Sequence, residues 1–289
     1  MMEDMRYEAP STIDAAVALL NGASAPKVLA GGTDVLVQLH IETIEPDVLV
    51  DIKNIPELRT MAKEADGWRV GAAVSAMEMV ENAAFCKDWP GVMEGVILIG
   101  SMQVKGRATV AGNVCNGSPA ADSTPAMIAA GAIASVIGPD GQRQVPVEDI
   151  VVGPGKTSLA KGEIIVSFLL PNQPAHSGEC YMRLTPRTEM DIAVVGVGAS
   201  VTLDDGGTCT AARVSLGAVA PTPLLVQACA DALIGTKVDD AALTKLGEAA
   251  SAACNPISDK RGTKEYRIKT AAVIARRVVE KALERAKAN

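Results

Sequence analysis

The sequence predicts an α+β protein in which a two-lobed domain is followed by a separate C-terminal domain. Short apolar runs alternate with capped helical segments as far as Leu170, a polar stretch with two prolines follows at 171–178, and further apolar runs then precede three helical segments. Because a polar, proline-bearing stretch is typical of a linker, we place the domain boundary inside it. We predict the first domain over residues 1–175, with lobes at about 1–55 and 56–175, and the second over residues 176–289.

The first lobe is predicted to have a βαβ-like order of short elements. Ser11 to Asp14 is similar to a capping box, so a helix should begin there and run to Leu20, where Asn21-Gly22 ends it. A short strand then leads into a pair of glycines, residues 35–39 continue as a brief helix, and residues 48–51 are apolar enough for a buried parallel strand.

The second lobe is predicted to begin near Leu58, where the hydrophobic period changes. The expected elements, in chain order, are two short strands flanking Asp66-Gly67, a capped helix opening at Ser75, a buried helix over residues 91–102, a helix from Thr124, a hairpin of residues 133–137 with a return strand to Val145, and a strand over residues 163–170.

The C-terminal domain is predicted to be a three-stranded antiparallel sheet covered by a helical bundle. The expected strands are 180–184, 193–203 and 208–216, and the expected helices are 223–234, 240–253 and 263–287. The last helix places Ala271, Ala275, Val278 and Ala282 on one face, as a covering helix should.

Charge and cysteine pattern argue against several classes of function. A net charge of −7 argues against nucleic acid as a partner, and no uninterrupted apolar run reaches the roughly 18 residues of a membrane span. The opening Met1 to Asp4 is acidic, unlike a secretion signal, so we expect a cytoplasmic protein. Six cysteines without a C-x-x-C pair and two histidines suit neither zinc nor an iron-sulfur cluster, so we expect no metal on this chain and mostly buried, reduced thiols.

Residues 109–125, T-V-A-G-N-V-C-N-G-S-P-A-A-D-S-T-P, are the first candidate for a ligand site. Ala111, Gly112, Asn113 and Gly117 leave the main chain almost bare, and glycine or asparagine can adopt positive φ, so several N–H groups can converge on an anion such as a phosphate. Ser118-Pro119 should then turn the chain, and Asp122 with Ser123 should cap the helix that follows. Cys115 lies inside this stretch, where packing is favoured over a redox role.

Residues 29–35, L-A-G-G-T-D-V, form a second bare turn after a short apolar run. Two such turns, each next to a predicted strand, could clasp a pyrophosphate from two sides without the helix N-terminus that a Rossmann site uses. A third glycine-bearing stretch, Gly153 to Ser158, ends like a Walker A loop. Ile150 occupies the position of that motif's first glycine, so we do not assign a P-loop.

The two turns together resemble the FAD-binding subunits of the molybdenum hydroxylases, namely the medium subunit of aerobic carbon monoxide dehydrogenase and the central flavin domain of xanthine dehydrogenase. In that family, loops of the A-G-G-x-[ST/D] and T-[IV]-G-G-N types, followed by S-P-x-x-D, hold FAD. This chain has A-G-G-T-D, T-V-A-G-N and S-P-A-A-D in the same order, and the resemblance covers nearly its whole length. It implies a PCMH-type FAD-binding domain for residues 1–175 and a C-terminal domain of the carbon monoxide dehydrogenase flavoprotein type for residues 176–289.

The resemblance also implies which residues bind the cofactor. They are Leu29, Ala30, Gly31, Gly32, Thr33, Asp34, Val35, Ile99, Thr109, Val110, Ala111, Gly112, Asn113, Ser118, Asp122, Ile165 and Arg183. Ile99 and Ile165 match apolar positions on opposite sides of the nucleotide, although a plain core contact explains Ile99 equally well. Ala111 stands where the family has a glycine, so its methyl group must be accommodated if that residue has positive φ.

Arg183 opens a stretch, residues 183–193, that is similar to the family's [KR]-x-x-x-R-x-x-x-D-[IFW]-A run. The resemblance places its charge near the flavin ring, where a cation would stabilise reduced flavin and raise its potential. A strand-end salt bridge with Glu189 or Asp191 explains Arg183 equally well. The choice stays open at the level of sequence.

Two function hypotheses follow. In the first, which the resemblance implies, the chain is an oxidoreductase subunit that takes electrons from a small subunit with two-iron two-sulfur clusters and passes them through FAD to an external acceptor. A large subunit with molybdopterin completes the complex, as a dimer of heterotrimers. In the second, the chain is a self-contained flavin-dependent oxidoreductase. The sequence favours the first, because two histidines and three tyrosines offer few candidate acids or bases, and we assign no catalytic side chain.

Overall fold

In the computed structural model, which describes residues 5–289, the first lobe is a three-stranded parallel sheet of order β1-β3-β2. Its elements, in chain order, are β1 (Arg6–Glu8), α1 (Ile13–Gly22), β2 (Pro26–Leu29), α2 (Val35–His40) and β3 (Val48–Asp51). Strand β3 is the central strand and is buried along its whole length. The predicted βαβ-like order is therefore confirmed, with β1 as an added edge strand. Met1 to Asp4, on which the expected absence of a secretion signal rests, lies outside the described residues.

Helix α1 begins differently from the prediction. Thr12 is its N-cap, with Oγ1 accepting a hydrogen bond from the N–H of Ala15. Ala15 occupies the position where a capping box needs a carboxylate or amide side chain, so no capping box forms.

The second lobe is built on a five-stranded antiparallel sheet of order β4-β5-β10-β6-β7. Its elements are β4 (Met61–Lys63), β5 (Gly67–Gly71), α3 (Ala76–Glu81), α4 (Ala83–Asp88), α5 (Pro90–Val96), α6 (Met102–Lys105), α7 (Val110–Asn116), α8 (Ser123–Ala129), β6 (Ile133–Gly138), β7 (Gly141–Pro146), β8 (Val151–Gly153), β9 (Lys156–Thr157) and β10 (Ile164–Pro171). Strands β8 and β9 form a separate small hairpin.

The predicted helix over residues 91–102 is wrong in extent, because α5 ends at Val96. Gly100 has a φ of +53°, a left-handed conformation that no helix continues through. Ser101 then caps the short helix α6 through a hydrogen bond from the N–H of Val104. The turn between α5 and α6 carries Ile99.

The C-terminal domain contains a four-stranded antiparallel sheet of order β11-β12-β13-β14, one strand more than predicted. Its elements are β11 (Ser177–Leu184), β12 (Val195–Leu203), β13 (Cys209–Gly217), β14 (Leu224–Leu225), α9 (Gln227–Asp231), α10 (Asp240–Ala253) and α11 (Lys264–Ala288). The predicted helix over residues 223–234 is wrong at its start, because Leu224 and Leu225 pair with Leu216 and Ser215 at the sheet edge.

The two larger of three hydrophobic clusters divide most of the buried apolar side chains between the two domains, and a small third one contains Leu29, Leu39 and Leu49. The larger cluster joins both lobes of the first domain and includes an edge-to-face pair of Trp68 and Phe85, with ring centroids 5.3 Å apart. The second cluster lies between the C-terminal sheet and the helices, and it contains the predicted face of α11. Helix α8 packs on β12, where a Cβ atom on Gly198 would lie only 2.6 Å from the carbonyl oxygen of Pro125. Glycine in β12 thus allows the two domains to approach closely.

The six cysteines are free, and only three of them, Cys180, Cys209 and Cys229, are buried. Cys86 and Cys254 are half-buried, and Cys115 is exposed, so fewer thiols are buried than the sequence predicts. Among residues 5–289, no helix has both the length and the apolar character to cross a membrane.

Candidate cofactor site

A cavity of about 530 Å³ lies where the first glycine turn meets the start of α7. It brings together most of the residues predicted for the cofactor, which are Ala30, Gly31, Gly32, Thr33, Asp34, Val35, Ile99, Thr109, Ala111, Gly112, Asn113 and Ile165. Two stretches far apart in sequence therefore line one space. Its volume lies within the range usual for small-molecule and cofactor sites, about 300–1,000 Å³.

The first turn depends on two adjacent glycines. A Cβ atom on Gly31 would collide with the main-chain carbonyl of Arg107, so only glycine lets this turn lie against the turn between α6 and α7. Gly32 has a φ of +80°, which side chains rarely adopt. The chain then enters α2, whose Leu36 N–H donates to the carbonyl of Gly32.

The second stretch is a helix and not a bare loop, which corrects the prediction. Thr109 is the N-cap of α7, and its Oγ1 accepts a hydrogen bond from the N–H of Gly112 at 2.9 Å. The expectation that the site would lack a helix N-terminus is thus wrong, because Thr109, Ala111 and Gly112 all line the cavity. Positive φ occurs only at the end of this helix, where Gly117 has a φ of +62°.

Ala111 is accommodated without backbone strain, since it lies in the first turn of α7 and is buried. The departure from the family's glycine therefore places only one methyl group at the edge of the cavity.

Free main-chain donors make the cavity suitable for an anionic ligand. Within residues 5–289, the N–H groups of Gly31, Gly32, Thr33 and Asp34 donate no hydrogen bond, nor do those of Val110 and Ala111. Main-chain N–H groups without a protein acceptor can donate to a ligand, and phosphate oxygens are strong acceptors. The donor set therefore fits the pyrophosphate of a dinucleotide, and this is the observation on which the assignment of the site depends.

The walls beside these donors are aliphatic. Ile165 and Ile164 come from β10, Ile52 follows β3, and Ala72 follows β5. Ile99 lines the cavity and also packs against the large hydrophobic cluster, so the cavity contact and the core contact proposed for it both exist. Such walls suit the apolar faces of a ring system.

Five of the predicted residues do not line this cavity. Leu29 and Val110 are buried in hydrophobic clusters, and Ser118 accepts a hydrogen bond from the N–H of Ala120 within a turn. Asp122 and Arg183 form a separate buried pair, described next.

Asp122 joins α8 to the C-terminal sheet. Its Oδ2 accepts a hydrogen bond from Arg183 at 2.6 Å, and its Oδ1 accepts one from the Tyr181 hydroxyl at 2.8 Å. Burial raises the pKa of Asp122, and the Arg183 charge and the hydrogen bond from Tyr181 oppose that rise. The predicted cap is wrong, because the carboxylate makes no hydrogen bond to the start of α8.

The alternative partners considered for Arg183 are also wrong. Asp191 contacts the Arg183 guanidinium only through its main-chain carbonyl, at 3.3 Å, while the Asp191 carboxylate pairs with Arg187 and Arg261. The Asp122 cluster is linked to the cavity through its neighbour Ser123, whose hydroxyl donates to Asn113 Oδ1 at 2.6 Å. Arg183 is therefore connected to the cavity lining through Asp122, its chain neighbour Ser123 and Asn113.

Several lining residues were not predicted from the sequence. Gly155 and Thr157 reach the cavity from the β8–β9 hairpin, and the N–H of Gly155 donates to the carbonyl of Gly117 at the end of α7. This is the stretch that resembles the end of a Walker A loop, and a hairpin in place of a helix agrees with rejecting a P-loop. Gln38 was also missed, although a single amide within the apolar helix α2 was a signal, and its Nε2 donates to Asn116 Oδ1 at 3.1 Å.

The chain is similar to known flavoproteins over nearly its whole length. A model described as the FAD binding domain in molybdopterin dehydrogenase matches residues 3–173, and one described as the CO dehydrogenase flavoprotein C-terminal domain matches residues 180–282. The xanthine dehydrogenase FAD-binding subunit of Escherichia coli O157:H7 is 32% identical over 285 residues, which cover 98% of this chain and 97% of the relative. The carbon monoxide dehydrogenase medium chain of Afipia carboxidovorans is 34% identical over 283 residues, 97% of each chain.

Solved structures agree with these matches. A chain of reconstituted CO dehydrogenase from Oligotropha carboxidovorans superposes with a TM-score of 0.93 at 32% identity, covering 97% of this chain and 98% of that one. A chain of quinoline 2-oxidoreductase from Pseudomonas putida 86 gives a TM-score of 0.89 at 27% identity, covering 98% of both. Sequence, fold and cavity thus agree, and this chain belongs to the family of FAD-binding subunits of molybdenum-containing hydroxylases and dehydrogenases.

Proposed function

We propose that this chain holds one FAD in the cavity between the first glycine turn and α7, and that it carries electrons from iron-sulfur clusters of a partner subunit to an external acceptor. The observation that supports this is the set of unpaired N–H groups, from Gly31 to Asp34 and at Ala111, in residues that line one cavity. When bound, FAD supplies the redox chemistry, because it can accept electrons singly and release them singly or in pairs.

The chain's own residues bind and orient the cofactor. In this proposal the N–H groups of the glycine turn and of the first turn of α7 donate to the pyrophosphate, and Ile99 and Ile165 contact the nucleotide. We propose that the buried ion pair of Asp122 and Arg183 lies near the flavin ring of the cofactor, where the guanidinium would favour negative charge on the ring. Leu29 and Val110 act through the backbone, since their side chains face the core.

We further propose that the chain works beside a small iron-sulfur subunit and a large molybdopterin subunit, in a dimer of heterotrimers. The names of the relatives, a medium chain and an FAD-binding subunit, support partner subunits for this chain as well. We keep the domain boundary at residues 175–176, in the connection between β10 and β11. A cytoplasmic location is supported by the six free cysteines, because disulfides persist mainly in oxidising compartments.

The test of this function is the cofactor and metal content of the purified full chain. We expect one FAD per polypeptide after gel filtration and no iron or molybdenum above background in metal analysis. Stoichiometric iron on this chain would contradict the proposed division of roles among the subunits. A colourless chain that does not take up added FAD would contradict the site itself.

A further inference from the structure

Two residues that follow β3 donate hydrogen bonds to two consecutive main-chain carbonyls of the first glycine turn. The N–H of Ile52 donates to the carbonyl of Leu29 at 3.1 Å, and the Nζ of Lys53 donates to the carbonyl of Ala30 at 3.1 Å. Pairing of β2 with β3 ends at Leu29 opposite Asp51. The Lys53 ammonium group therefore donates to the next carbonyl of the turn, that of Ala30, beyond the last hydrogen bond from a main-chain N–H.

Lys53 is itself held in place by a buried carboxylate. Asp51 Oδ1 accepts from the Lys53 Nζ at 2.7 Å and from the Lys53 N–H at 3.0 Å, while Oδ2 accepts from the Tyr7 hydroxyl at 2.7 Å. Burial would raise the pKa of Asp51, but the hydrogen bonds from Lys53 and Tyr7 outweigh it and the pKa lies below its ordinary value. Asp51 is therefore ionised at neutral pH and fixes the ammonium group.

A trans peptide unit holds its C=O and N–H on opposite sides. The carbonyl of Ala30 and the N–H of Gly31 belong to the same unit, so turning that carbonyl towards Lys53 turns the Gly31 N–H away from Lys53. Gly31 lines the cavity and its N–H has no acceptor within residues 5–289, whereas Lys53 is not part of the cavity lining.

We propose that Lys53, anchored by Asp51 and Tyr7, is a positioning residue that orients the first glycine turn for the cofactor's pyrophosphate. This inference rests on the proposed FAD site. A turn with two consecutive glycines has many accessible conformations, and ordering them on binding lowers affinity. Fixing one carbonyl before the ligand arrives removes part of that cost.

The test compares Lys53→Met and Lys53→Arg with Lys63→Met in the full chain stripped of FAD. Lys63 is the matched control, because it pairs with Asp88 at 2.7 Å in the same domain and makes no contact with the turn. Titration with FAD, followed by quenching of flavin fluorescence, should give roughly 10-fold weaker binding for K53M, as expected when one charge-assisted hydrogen bond is lost. K53R should recover most of the affinity, and K63M should bind like the wild type.

A second readout separates positioning from general stability. The N–H groups of Leu36 and Ile52 donate to the carbonyls of Gly32 and Leu29 in the turn, so their hydrogen exchange reports its order. In the FAD-free chain these two amides should exchange faster in K53M than in K63M, while both variants unfold at similar temperatures. Tyr7→Phe removes only the hydroxyl donor to Asp51 and is the substitute variant if K53M does not fold. Its FAD affinity and its amide exchange should change in the same directions as expected for K53M, by a smaller factor.

The outcomes distinguish this inference from the function on which it rests. If the wild type binds FAD and K53M, or Y7F in its place, shows unchanged affinity or unchanged exchange of the Leu36 and Ile52 amides, the positioning role is wrong and the FAD site stands. If the wild type does not bind FAD, the proposed function fails first.

Discussion

Gly31 and Gly32 are required for different physical reasons although they are adjacent. At Gly31 the obstacle is another part of the main chain, since a Cβ atom would meet the carbonyl of Arg107. At Gly32 the obstacle is the conformation itself, a φ of +80°, with the side chains of Leu29 and Leu36 each 3.0 Å from a Cβ position. Gly31 thus allows the two cavity-forming stretches to lie against each other, and Gly32 allows the turn to bend.

Gly32→Val should abolish retention of FAD, because a branched side chain penalises positive φ and displaces the N–H groups of the turn. The matched control is Gly141→Val, at a φ of +112° in the β6–β7 hairpin with no atom within 4 Å of a Cβ. Each variant should lose about 1–3 kcal/mol in the free energy of unfolding, measured with urea. Only G32V should lose FAD, measured as the flavin-to-protein absorbance ratio, and equal loss in both variants would show that strain alone explains it.

Gly112→Val tests the other side of the cavity. The residue is helical, and a Cβ would meet only Thr109 Oγ1, at 3.1 Å, so the side chain enters the space assigned to the cofactor. Valine is a slightly better helix former than glycine, and we expect the free energy of unfolding to change by less than about 1 kcal/mol while FAD is lost. Gly22→Val, at the end of α1 with open space around it, should keep both stability and FAD. If G112V retained as much FAD as the wild type, α7 would not be part of the cofactor site.

At the scale of elements, local signals and tertiary contacts account for different parts of the structure. Helix α10 has the predicted bounds, because an Asp239 cap and an apolar stripe lie within the segment itself. Glycine and asparagine are poor helix formers, so the sequence predicts a loop where α7 forms. The helix is stabilised by the Thr109 cap and by the buried side chains of Val110 and Val114. The predicted conformation of this stretch is wrong, but its residues line the cavity as the sequence indicates.

Contacts between distant segments could not be predicted. Strand β14 is two residues long and exists through its pairing with β13, which no periodicity within the segment reveals. Arg183 and Asp122 are in different domains, so local sequence suggested only the nearby acids Glu189 and Asp191 as partners. The site residues themselves followed from the family resemblance to two short motifs, whereas Gln38 lines the cavity and is hydrogen-bonded to Asn116 in α7, a contact between distant segments.

Thr109→Ala tests the cap of α7. The variant loses the acceptor for the N–H of Gly112, so we expect about 1 kcal/mol lower stability and weaker FAD binding, with both restored in Thr109→Ser. Thr12→Ala removes the equivalent cap of α1 and should lose similar stability without changing FAD affinity. If T12A and T109A weaken FAD binding equally, the effect of T109A is general and the α7 cap has no special role at the cavity.

At the scale of the molecule, the domains meet at a buried carboxyl group. Glu179 in β11 is 3% exposed, and its Oε1 accepts from the N–H of Gly91 in α5 at 2.6 Å. Burial raises the pKa of Glu179 to about 8, and the nearby carboxylate of Glu94 acts in the same direction, against the charge of Arg285. The folded state therefore binds this proton more tightly than the unfolded chain does.

The sign of the resulting pH dependence follows from that rise in pKa. The contribution of Glu179 to stability is fully present below its unfolded pKa of about 4.5 and is lost as pH rises to about 8. The free energy of unfolding, measured with urea between pH 5 and 9, should fall by up to about 1.4 kcal/mol per pH unit, and Glu179→Gln should remove that slope. Glu163→Gln is the control, because the pKa of Glu163 is lowered and its titration lies below this range. An unchanged slope in E179Q would show that another group is responsible.

The last prediction concerns the complex. The Tyr181 hydroxyl donates a hydrogen bond to the Asp122 carboxylate, and Arg183 neutralises that carboxylate. This cluster therefore offers no free base to activate an organic substrate. In the proposed function a partner performs the substrate chemistry, so this chain with FAD should not be bleached anaerobically by the substrates of the named relatives, although dithionite should bleach it. Addition of its own iron-sulfur and molybdenum subunits should make the flavin absorbance fall when the complex's substrate is present. Rapid bleaching by an organic substrate without either partner would instead establish a self-contained flavin enzyme, with a base that lies outside this cluster.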